Sequence, residues 1–162
     1  MASKILQEIP KHKPGFKVLC FCFADPYKLK NLSFDTVRTL SSRFIDFLIL
    51  IPTHMDANRN ISYYINATNN TVDNFLGAST WRNEWSKAKL QKEDFGDFLA
   101  DQFGKQMAAM NYLYSGLSDT KLVRSTDKNL PLYRLAFFSR NKLGQKFWRD
   151  ALKYSSDQLL LF

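Results

Sequence analysis

The sequence predicts an α/β fold in which two parallel strands and an antiparallel edge hairpin form one sheet flanked by helices. Two continuous apolar runs, at 17–23 and 45–51, are typical of strands that are buried on both faces, as in a parallel sheet covered by helices. The helical pattern near 34–43 lies between them and predicts a right-handed βαβ unit. Two further strands, at 120–125 and 131–138, are joined by a turn sequence and are expected to form the hairpin.

The spacing of apolar residues predicts the remaining helices. Ser33 is placed to cap the helix over 34–43, in which apolar residues recur every three or four positions. The same spacing over 94–114 predicts a long helix that contributes to the core. Other helices are expected near 71–76, 80–87 and 142–154, with a short helix in the lead-in over 1–16. After the lead-in, the order of elements is β-α-β-α-β-β-α.

Length and composition predict one domain. The chain has 162 residues, of which 45% are hydrophobic and 15% aromatic, and this is enough to bury a substantial core. No internal repeat or low-complexity linker divides it. We therefore expect a single domain over 1–162, made of a lead-in over 1–16 and a half-domain over 17–155.

The net charge limits the partners that the chain is expected to bind. A formal charge of +8 favours acidic partners, with nucleic acid the leading candidate because its phosphates attract lysine and arginine. The alternative is an ordinary basic surface. The longest apolar stretches, at 16–24 and 44–51, are too short to cross a bilayer, so no membrane is expected.

The two cysteines predict neither a disulfide nor a metal site. Cys20 and Cys22 are two positions apart in a predicted strand, so they point to one face and are expected to be small buried hydrophobes. The scattered His12 and His54 add too few ligands for a metal. Reduced thiols, together with the lack of a signal peptide's apolar core in 1–16, suggest a cytoplasmic location.

The predicted first strand ends in Asp25-Pro26-Tyr27, the main candidate site of the chain. Open α/β sheets bind their ligands at the carboxyl ends of such strands. An acid, a rigid proline and an aromatic ring are suited to gripping a planar, nitrogen-bearing group. The alternative is a plain turn, because Asp-Pro after a strand is a common turn sequence.

Five segments over roughly 17–150 occur in a specific order and spacing. They are Ala24-Asp25-Pro26-Tyr27, Asp46-Phe47-Leu48-Ile49-Leu50-Ile51-Pro52-Thr53-His54-Met55, Asn58-Arg59-Asn60, Phe75-Leu76-Gly77 with Trp81, and Tyr133-Arg134-Leu135-Ala136-Phe137-Phe138-Ser139. Together they resemble the three-Cys-motif partner family. That family has a Phe-x-Asp-Pro-Phe/Tyr-Gly strand end, an apolar strand, an Arg-Asn loop, a Phe-Phe-Gly…Trp element and a closing Tyr-x-Leu-x-Phe-x-Ser strand.

The resemblance implies the C-terminal half of a class I methyltransferase-like domain with a Rossmann-like sheet. The complete sheet has the strand order 3-2-1-4-5-7-6, and the four strands predicted here correspond to the fourth to seventh. The implied cofactor is S-adenosylmethionine. The implied partner is the radical-enzyme-like three-cysteine protein for which the family is named, or a complementary chain.

Two departures from the family pattern affect cofactor binding. The family's Phe-x-Asp-x-Phe-Ala-Gly-x-Gly segment lets the backbone approach the methyl donor, and no Gly-x-Gly occurs in this sequence. Lys28 stands where the family has a glycine after Asp-Pro-Phe/Tyr. We therefore expect that the chain does not bind S-adenosylmethionine on its own.

A related motif in amino-methyltransferases, Asp/Asn/Ser-Pro-Pro-aromatic, suggests a role for each residue of the candidate site. By this analogy Asp25 accepts the exocyclic N–H, so that the nitrogen lone pair turns toward the methyl group. Pro26 supplies a rigid carbonyl, and Tyr27 stacks on the extruded base.

The polar loop after the second strand is expected to flank the same cleft, because it leaves the sheet at the same edge. Arg59 is a candidate for binding phosphate and His54 for proton transfer, and Asn60 is a third candidate substrate-binding residue. The alternative is that these side chains hydrogen-bond their own backbone. Trp81, with a second tryptophan four positions later, is a candidate stacking surface for nucleic acid or else the packed face of a short helix.

Two functions of different classes fit these features. The first is a truncated or split enzyme that contributes the substrate side of a methyltransferase acting on a nucleic-acid base amino group. The second is a non-catalytic interaction module or gene fragment. In both cases the first strand, which is central in the family's sheet, would have an open apolar edge, so we expect self-association or a bound partner.

Overall fold

The computed structural model describes residues 2–10, 14–15 and 18–157, and it confirms the mixed α/β class. The strands are β1 (Cys20–Ala24), β2 (Ile45–Ile51), β3 (Thr120–Arg124) and β4 (Pro131–Phe138). The helices are α1 (Ala2–Glu8), α2 (Phe34–Leu40), α3 (Ile61–Tyr64), α4 (Thr71–Leu76), α5 (Trp81–Leu90), α6 (Phe95–Ala109) and α7 (Lys142–Asp157). Shorter helical turns are the 3-10 turns Leu29–Asn31 and Leu117–Asp119 and the π-helical turn Thr53–Ala57.

The four strands form one sheet in the order β1-β2-β4-β3. β1 and β2 are parallel, with Phe23 paired to Leu48, whereas β4 is antiparallel to both β2 and β3. This is the order expected for the fourth to seventh strands of a 3-2-1-4-5-7-6 sheet. The sheet therefore has the topology of a Rossmann-like half-fold, with the predicted βαβ unit and the predicted hairpin.

The core lies on one face of this sheet. Phe47 of β2 and Phe138 of β4 are paired across the strands, and each is 1% exposed. Helices α2 and α6 cover them, because the Phe103 ring of α6 lies 5.9 Å from Phe138 and 5.3 Å from Phe34 of α2. Phe75 of α4 lies 5.0 Å from Phe103. Burial of these aromatic side chains holds the helices on the sheet.

The prediction that β1 is buried on both faces is wrong. Phe21 and Phe23 are 62% and 57% exposed, whereas Cys20 and Cys22 are half-buried against the core. β1 is an edge strand of the described sheet, and exposure alternates along it because the described helices pack on one of its faces only. The continuous apolar run therefore reflects an uncovered apolar face and not a second buried one.

The two cysteines lie on the same face of β1, as the sequence predicts, but they are half-buried and not fully buried. Both pack against the core. Burial raises the pKa of the Cys22 thiol, so it stays protonated more readily than an exposed cysteine.

Helix α7 covers part of the second face of the sheet. Its Trp148 lies 5.8 Å from Phe137 of β4, ring centroid to ring centroid, and its indole N–H donates to the Asp119 carbonyl at 2.7 Å. At the start of α7, a Cβ on Gly144 would lie only 2.9 Å from the Ser139 hydroxyl. The helix therefore packs on the β4 and β3 side of this face, and the β1 side remains exposed.

Several element ends differ from the prediction. β1 begins at Cys20, and Lys17, where the predicted strand starts, lies outside the described residues. α6 stops at Ala109 instead of residue 114, because Asn111 takes the left-handed conformation with φ of 67°. The predicted short helix of the lead-in is α1, which packs against α2. None of the helices in the described ranges has both the length and the apolar character required to span a membrane.

Candidate functional site

The segments that follow β1 and β2 enclose a cleft, because the carboxyl ends of parallel strands meet at the same edge of a sheet. Asp25-Pro26-Tyr27 follows β1 directly, and the π-helical turn follows β2 after Pro52. The volume of the cleft is about 220 Å³. Its lining residues are Asp25, Pro26, Tyr27, Leu50, Pro52, Met55 and Tyr133.

Asp25 presents an exposed carboxylate at this cleft. It makes no hydrogen bond or ion pair with the residues that the structure describes. Pro26 is buried behind it, and Tyr27 is 71% exposed with the Lys28 ammonium 5.9 Å from its ring centroid. An unpaired hydrogen-bond acceptor beside an open ring face can hold a planar amine.

Tyr133 and Met55 also line the cleft, although neither is predicted as a site residue. Tyr133 is on β4, which lies beside β2, so its position depends on the strand order of the sheet. Met55 is in the π-helical turn. Both belong to segments that carry the family resemblance. Their place in those segments is the sequence signal that could have identified them.

A buried carboxylate joins the two segments that form the cleft. Asp56 is 2% exposed and accepts hydrogen bonds from the Leu29 amide at 2.8 Å and the Tyr64 hydroxyl at 2.7 Å. Burial, and then the hydrogen bond to Asp56, raise the pKa of Tyr64. Because Leu29 follows β1 and Asp56 follows β2, this carboxylate fixes one side of the cleft relative to the other.

Asn60 and His54 do not point into the cleft. The Asn60 amide donates to the carbonyl and the carboxylate of Asp56, at 2.9 Å and 2.8 Å, so it bonds its own segment, as the alternative interpretation holds. His54 Nδ1 lies 3.1 Å from the Thr53 hydroxyl, and its Nε2 lies 3.8 Å from an Asp94 oxygen at the start of α6. Neither side chain is among the residues that line the cleft, so their assignment as substrate-binding residues stays a prediction.

Arg59 is the candidate phosphate-binding residue of the same segment. Its side chain is exposed and makes no hydrogen bond or ion pair within the described ranges. It is not among the residues that line the cleft. Arg59 is therefore available to an anion outside the cleft. In this structure it is not placed to contact a ligand inside the cleft.

Trp81 has no ring face available for stacking, and its assignment to a nucleic-acid surface is wrong. It is 1% exposed, its indole N–H donates to Asp73 at 2.5 Å, and the Arg82 guanidinium lies 4.4 Å from its ring centroid. Trp85 is also buried, with Phe95 at 4.9 Å between centroids. The two tryptophans are the packed face of α5, as the alternative interpretation holds.

The π-helical turn is also fixed to the start of α6. The Gly96 amide donates to the Asn58 side chain at 2.7 Å, and the Asn58 amide donates to Asp94 at 2.7 Å. A Cβ on Gly96 would lie 2.7 Å from the Thr53 Cβ, so only glycine allows this approach. The turn is thus fixed by the hydrogen bonds of its own Asp56 and by its contacts with α6. These two sets of contacts together position Met55 in the cleft.

No group of three or more histidine, cysteine, aspartate or glutamate side chains in the described part of the chain is arranged to hold a metal ion. The residues that line the cleft supply a carboxylate, two phenol rings and apolar side chains. Comparison of this chain with protein-family models, with curated proteins and with solved structures finds no match.

Proposed function

We propose that this chain provides the substrate side of a methyltransferase-like domain related to the three-Cys-motif partner family. Its substrate would be an exocyclic amino group on a nucleic-acid base, and the methyl donor would be S-adenosylmethionine. The observation that carries the proposal is the exposed Asp25 carboxylate beside Tyr27 and Tyr133, at the carboxyl ends of two parallel strands.

The geometry of the cleft supports a role for each residue. Asp25 can accept one N–H of the amine, which leaves the nitrogen lone pair free on the other side. Tyr27 and Tyr133 offer ring faces to a planar base, and buried Pro26 limits movement of the backbone between Asp25 and Tyr27. Base stacking and one positioned acceptor are the requirements for binding an extruded amine.

The size of the cleft fits a single ring system. Its volume of about 220 Å³ is below the roughly 300–1,000 Å³ of pockets that hold a drug-sized ligand. A base therefore suits the cleft better than a complete cofactor does.

The residues of this chain do not fit the methyl donor. Gly96, on the helix that follows the cleft, is packed against Thr53, and the Asp-Pro-Tyr segment continues into Lys28 without a glycine. No described backbone segment at the cleft is thus free for the close approach to the donor that the family's glycines allow. We propose that the donor site is supplied by residues outside these 162.

The open edge of β1 supports the same arrangement. In the 3-2-1-4-5-7-6 order the fourth strand has the first strand as its other neighbour, and here β1 has β2 as its one neighbour among the described strands. A donor-binding half could pair with this edge and cover Phe21 and Phe23. The partner would be a complementary chain or the three-cysteine protein that the resemblance implies.

A second candidate function is a non-catalytic assembly module. The exposed apolar side chains Leu19, Phe21 and Phe23 favour it, because they flank an unpaired strand edge that can join a second sheet. This function requires the β1 edge and does not require the Asp25 carboxylate. Substitution of Asp25 therefore separates the two candidates.

Calorimetry with S-adenosylmethionine tests where the donor binds. We expect no binding by this chain alone, and micromolar or tighter binding when a chain that carries the Gly-x-Gly strand and loop is added. Asp25→Ala removes the acceptor, and it should leave that binding unchanged while it abolishes methyl transfer to a base. Binding of the donor by this chain alone, or full activity of Asp25→Ala, would contradict the proposal.

A further inference from the structure

A second, larger cavity lies between α7 and the segment 113–115. Its volume is about 610 Å³, and it shares no lining residue with the Asp25 cleft. The Leu113 amide donates to the Ser139 carbonyl, just after β4, at 2.9 Å. β4 ends where β2 begins, so this cavity, here called the α7 groove, lies at the opposite edge of the sheet from the cleft.

Basic side chains occupy one side of the α7 groove. Lys142, Lys146 and Arg149 line it at the spacing of one helix face. Arg149 is already paired, since its guanidinium lies 3.0 Å from Asp119 Oδ1 and donates to the Ser115 hydroxyl at 3.1 Å. Lys142 and Lys146 are exposed and make no ion pair within the described residues, so their charge is available to an anion.

Acidic groups near the groove are paired with other cations, so they do not neutralise Lys142 and Lys146. Asp119, which is paired with the groove residue Arg149, is neutralised by it, and Asp150, which lines the groove, lies 3.6 Å from the Lys153 ammonium. The hydrogen bonds from Arg149 and Ser115 outweigh burial and lower the pKa of Asp119, so it remains ionised and bound to Arg149. The remaining positive charge favours a phosphate.

A buried amide supplies the second, independent observation. Gln145 lines the groove and is 3% exposed, and neither Nε2 nor Oε1 of its side chain has a hydrogen-bond partner among the residues that the structure describes. A buried amide without partners is destabilising, and native structures contain few of them. A ligand that presents an acceptor and a donor side by side would satisfy both atoms. The edge of a nucleobase is such a group, and glutamine pairs with it through two hydrogen bonds.

We propose that the α7 groove binds a nucleotide. Lys142 and Lys146 bind the phosphate, and Gln145 turns toward the ligand and pairs with the edge of the base. Leu113 and Tyr114 give the groove an apolar wall against which the base can lie. The ligand is either a free nucleotide or one nucleotide of a single strand. This inference rests on α7 and not on the Asp25 cleft, so either can fail without the other.

Titrations with AMP and with ribose 5-phosphate, at low salt, test the two parts of this site. We expect AMP to bind the wild-type chain at least tenfold more tightly than ribose 5-phosphate, which lacks the base. Gln145→Leu should remove that difference, because it keeps the phosphate contacts and loses the base contact. Lys142→Gln/Lys146→Gln should weaken both ligands by about tenfold.

A matched control separates the groove from the general charge of the chain. Lys87→Gln/Lys89→Gln removes the same charge from two exposed lysines of α5 that do not line the groove, and it should leave both affinities unchanged. Circular dichroism and thermal unfolding should show that Gln145→Leu is folded and at least as stable as the wild type. No binding of AMP, an unchanged ratio in Gln145→Leu, or equal weakening in the control would each overturn the proposal.

Comparison of AMP with an oligonucleotide distinguishes a free nucleotide from one nucleotide of a single strand. A four-residue oligoadenylate that binds much more tightly than AMP, with a steeper dependence on salt, identifies a nucleotide within a single strand. Equal affinity per site identifies a free nucleotide. Both results support the shared chemistry, provided that Gln145→Leu weakens the ligand that binds.

Discussion

The Asp56 carboxylate accepts a hydrogen bond from the Leu29 amide at 2.8 Å, although the two residues are 27 positions apart. Leu29 belongs to the segment that leaves β1, and Asp56 to the turn that leaves β2. This hydrogen bond, with those from Tyr64 and Asn60, fixes the separation of the two segments that line the cleft. The position of Asp25 relative to Met55 therefore depends on a buried group that does not itself touch the cleft.

Substitution of Asp56 should destabilise the fold. Asp56→Ala leaves the Leu29 amide and the Tyr64 hydroxyl without their acceptor in a buried site, so we expect a loss of about 3 kcal/mol in the free energy of unfolding. Tyr64→Phe removes one of these hydrogen bonds and should cost about 1 kcal/mol. Urea titrations measure both values. A loss below that of Tyr64→Phe in Asp56→Ala would contradict this role.

Stability should fall at alkaline pH because buried tyrosines keep their protons in the folded state. Burial is the main cause that raises the pKa of Tyr112 to about 12, from an ordinary value of 10.0. Below pH 10 both states are protonated and stability does not depend on this group. Between pH 10 and 12 the unfolded chain loses the proton and the folded chain keeps it, so stability decreases, by at most ~1.4 kcal/mol per pH unit.

Tyr112→Phe provides the test of this pH dependence. The variant loses the hydrogen bond from Tyr112 to the Ile45 carbonyl, so it should be less stable at neutral pH. The decrease in its free energy of unfolding between pH 10 and 12 should be smaller than that of the wild type, because one tyrosine with a raised pKa has been removed. The same slope in both proteins, measured by urea titration at each pH, would show that Tyr112 does not titrate in this way.

The uncovered face of β1 should cause association. Phe21 and Phe23 are exposed beside an unpaired strand edge, so we expect the chain alone to self-associate at micromolar concentration. Phe21→Thr/Phe23→Thr should shift the sedimentation profile to the monomer. Leu90→Thr, at an exposed position that is 86% accessible on α5, is the control and should change nothing. A wild-type chain that stays monomeric would contradict the prediction.

The sequence predicts the sheet well because its signals are local. The continuous run over Ile45–Ile51 and the turn between β3 and β4 predict strands whose bounds are nearly those observed. Exposure of Phe21 could not be predicted in the same way, since it depends on which helices cover which face. An apolar run has the same pattern whether its second face is buried or open.

The site was predicted less completely because side-chain directions depend on contacts between segments that are distant in the sequence. Asp25-Pro26-Tyr27 lies in a cleft because a strand end has a known place in an α/β sheet. The directions of His54 and Asn60 are set by Asp94 and Asp56, contacts that no spacing rule specifies. Asp56 itself was one polar residue among many in its segment, and only its burial distinguishes it.

Binding of amino-bearing nucleosides at Asp25 tests the central proposal most directly. Adenosine lacks the phosphate that Lys142 and Lys146 of the α7 groove would bind, and residue-specific shifts distinguish the cleft from the groove. Purine riboside, which has no amino group, is the reference ligand. Amide NMR titrations should show adenosine shifting the signals around Asp25, Tyr27 and Tyr133. Asp127→Ala, at an exposed aspartate in the β3–β4 turn, is the matched control for Asp25→Ala.

We expect the wild-type chain and Asp127→Ala to bind adenosine about tenfold more tightly than purine riboside, and Asp25→Ala to bind the two equally, because the oxygen that accepts the amino N–H is lost. An unchanged preference for adenosine in Asp25→Ala, or no shifts at the cleft in the wild type, would contradict the assignment of Asp25 as the residue that holds the amine.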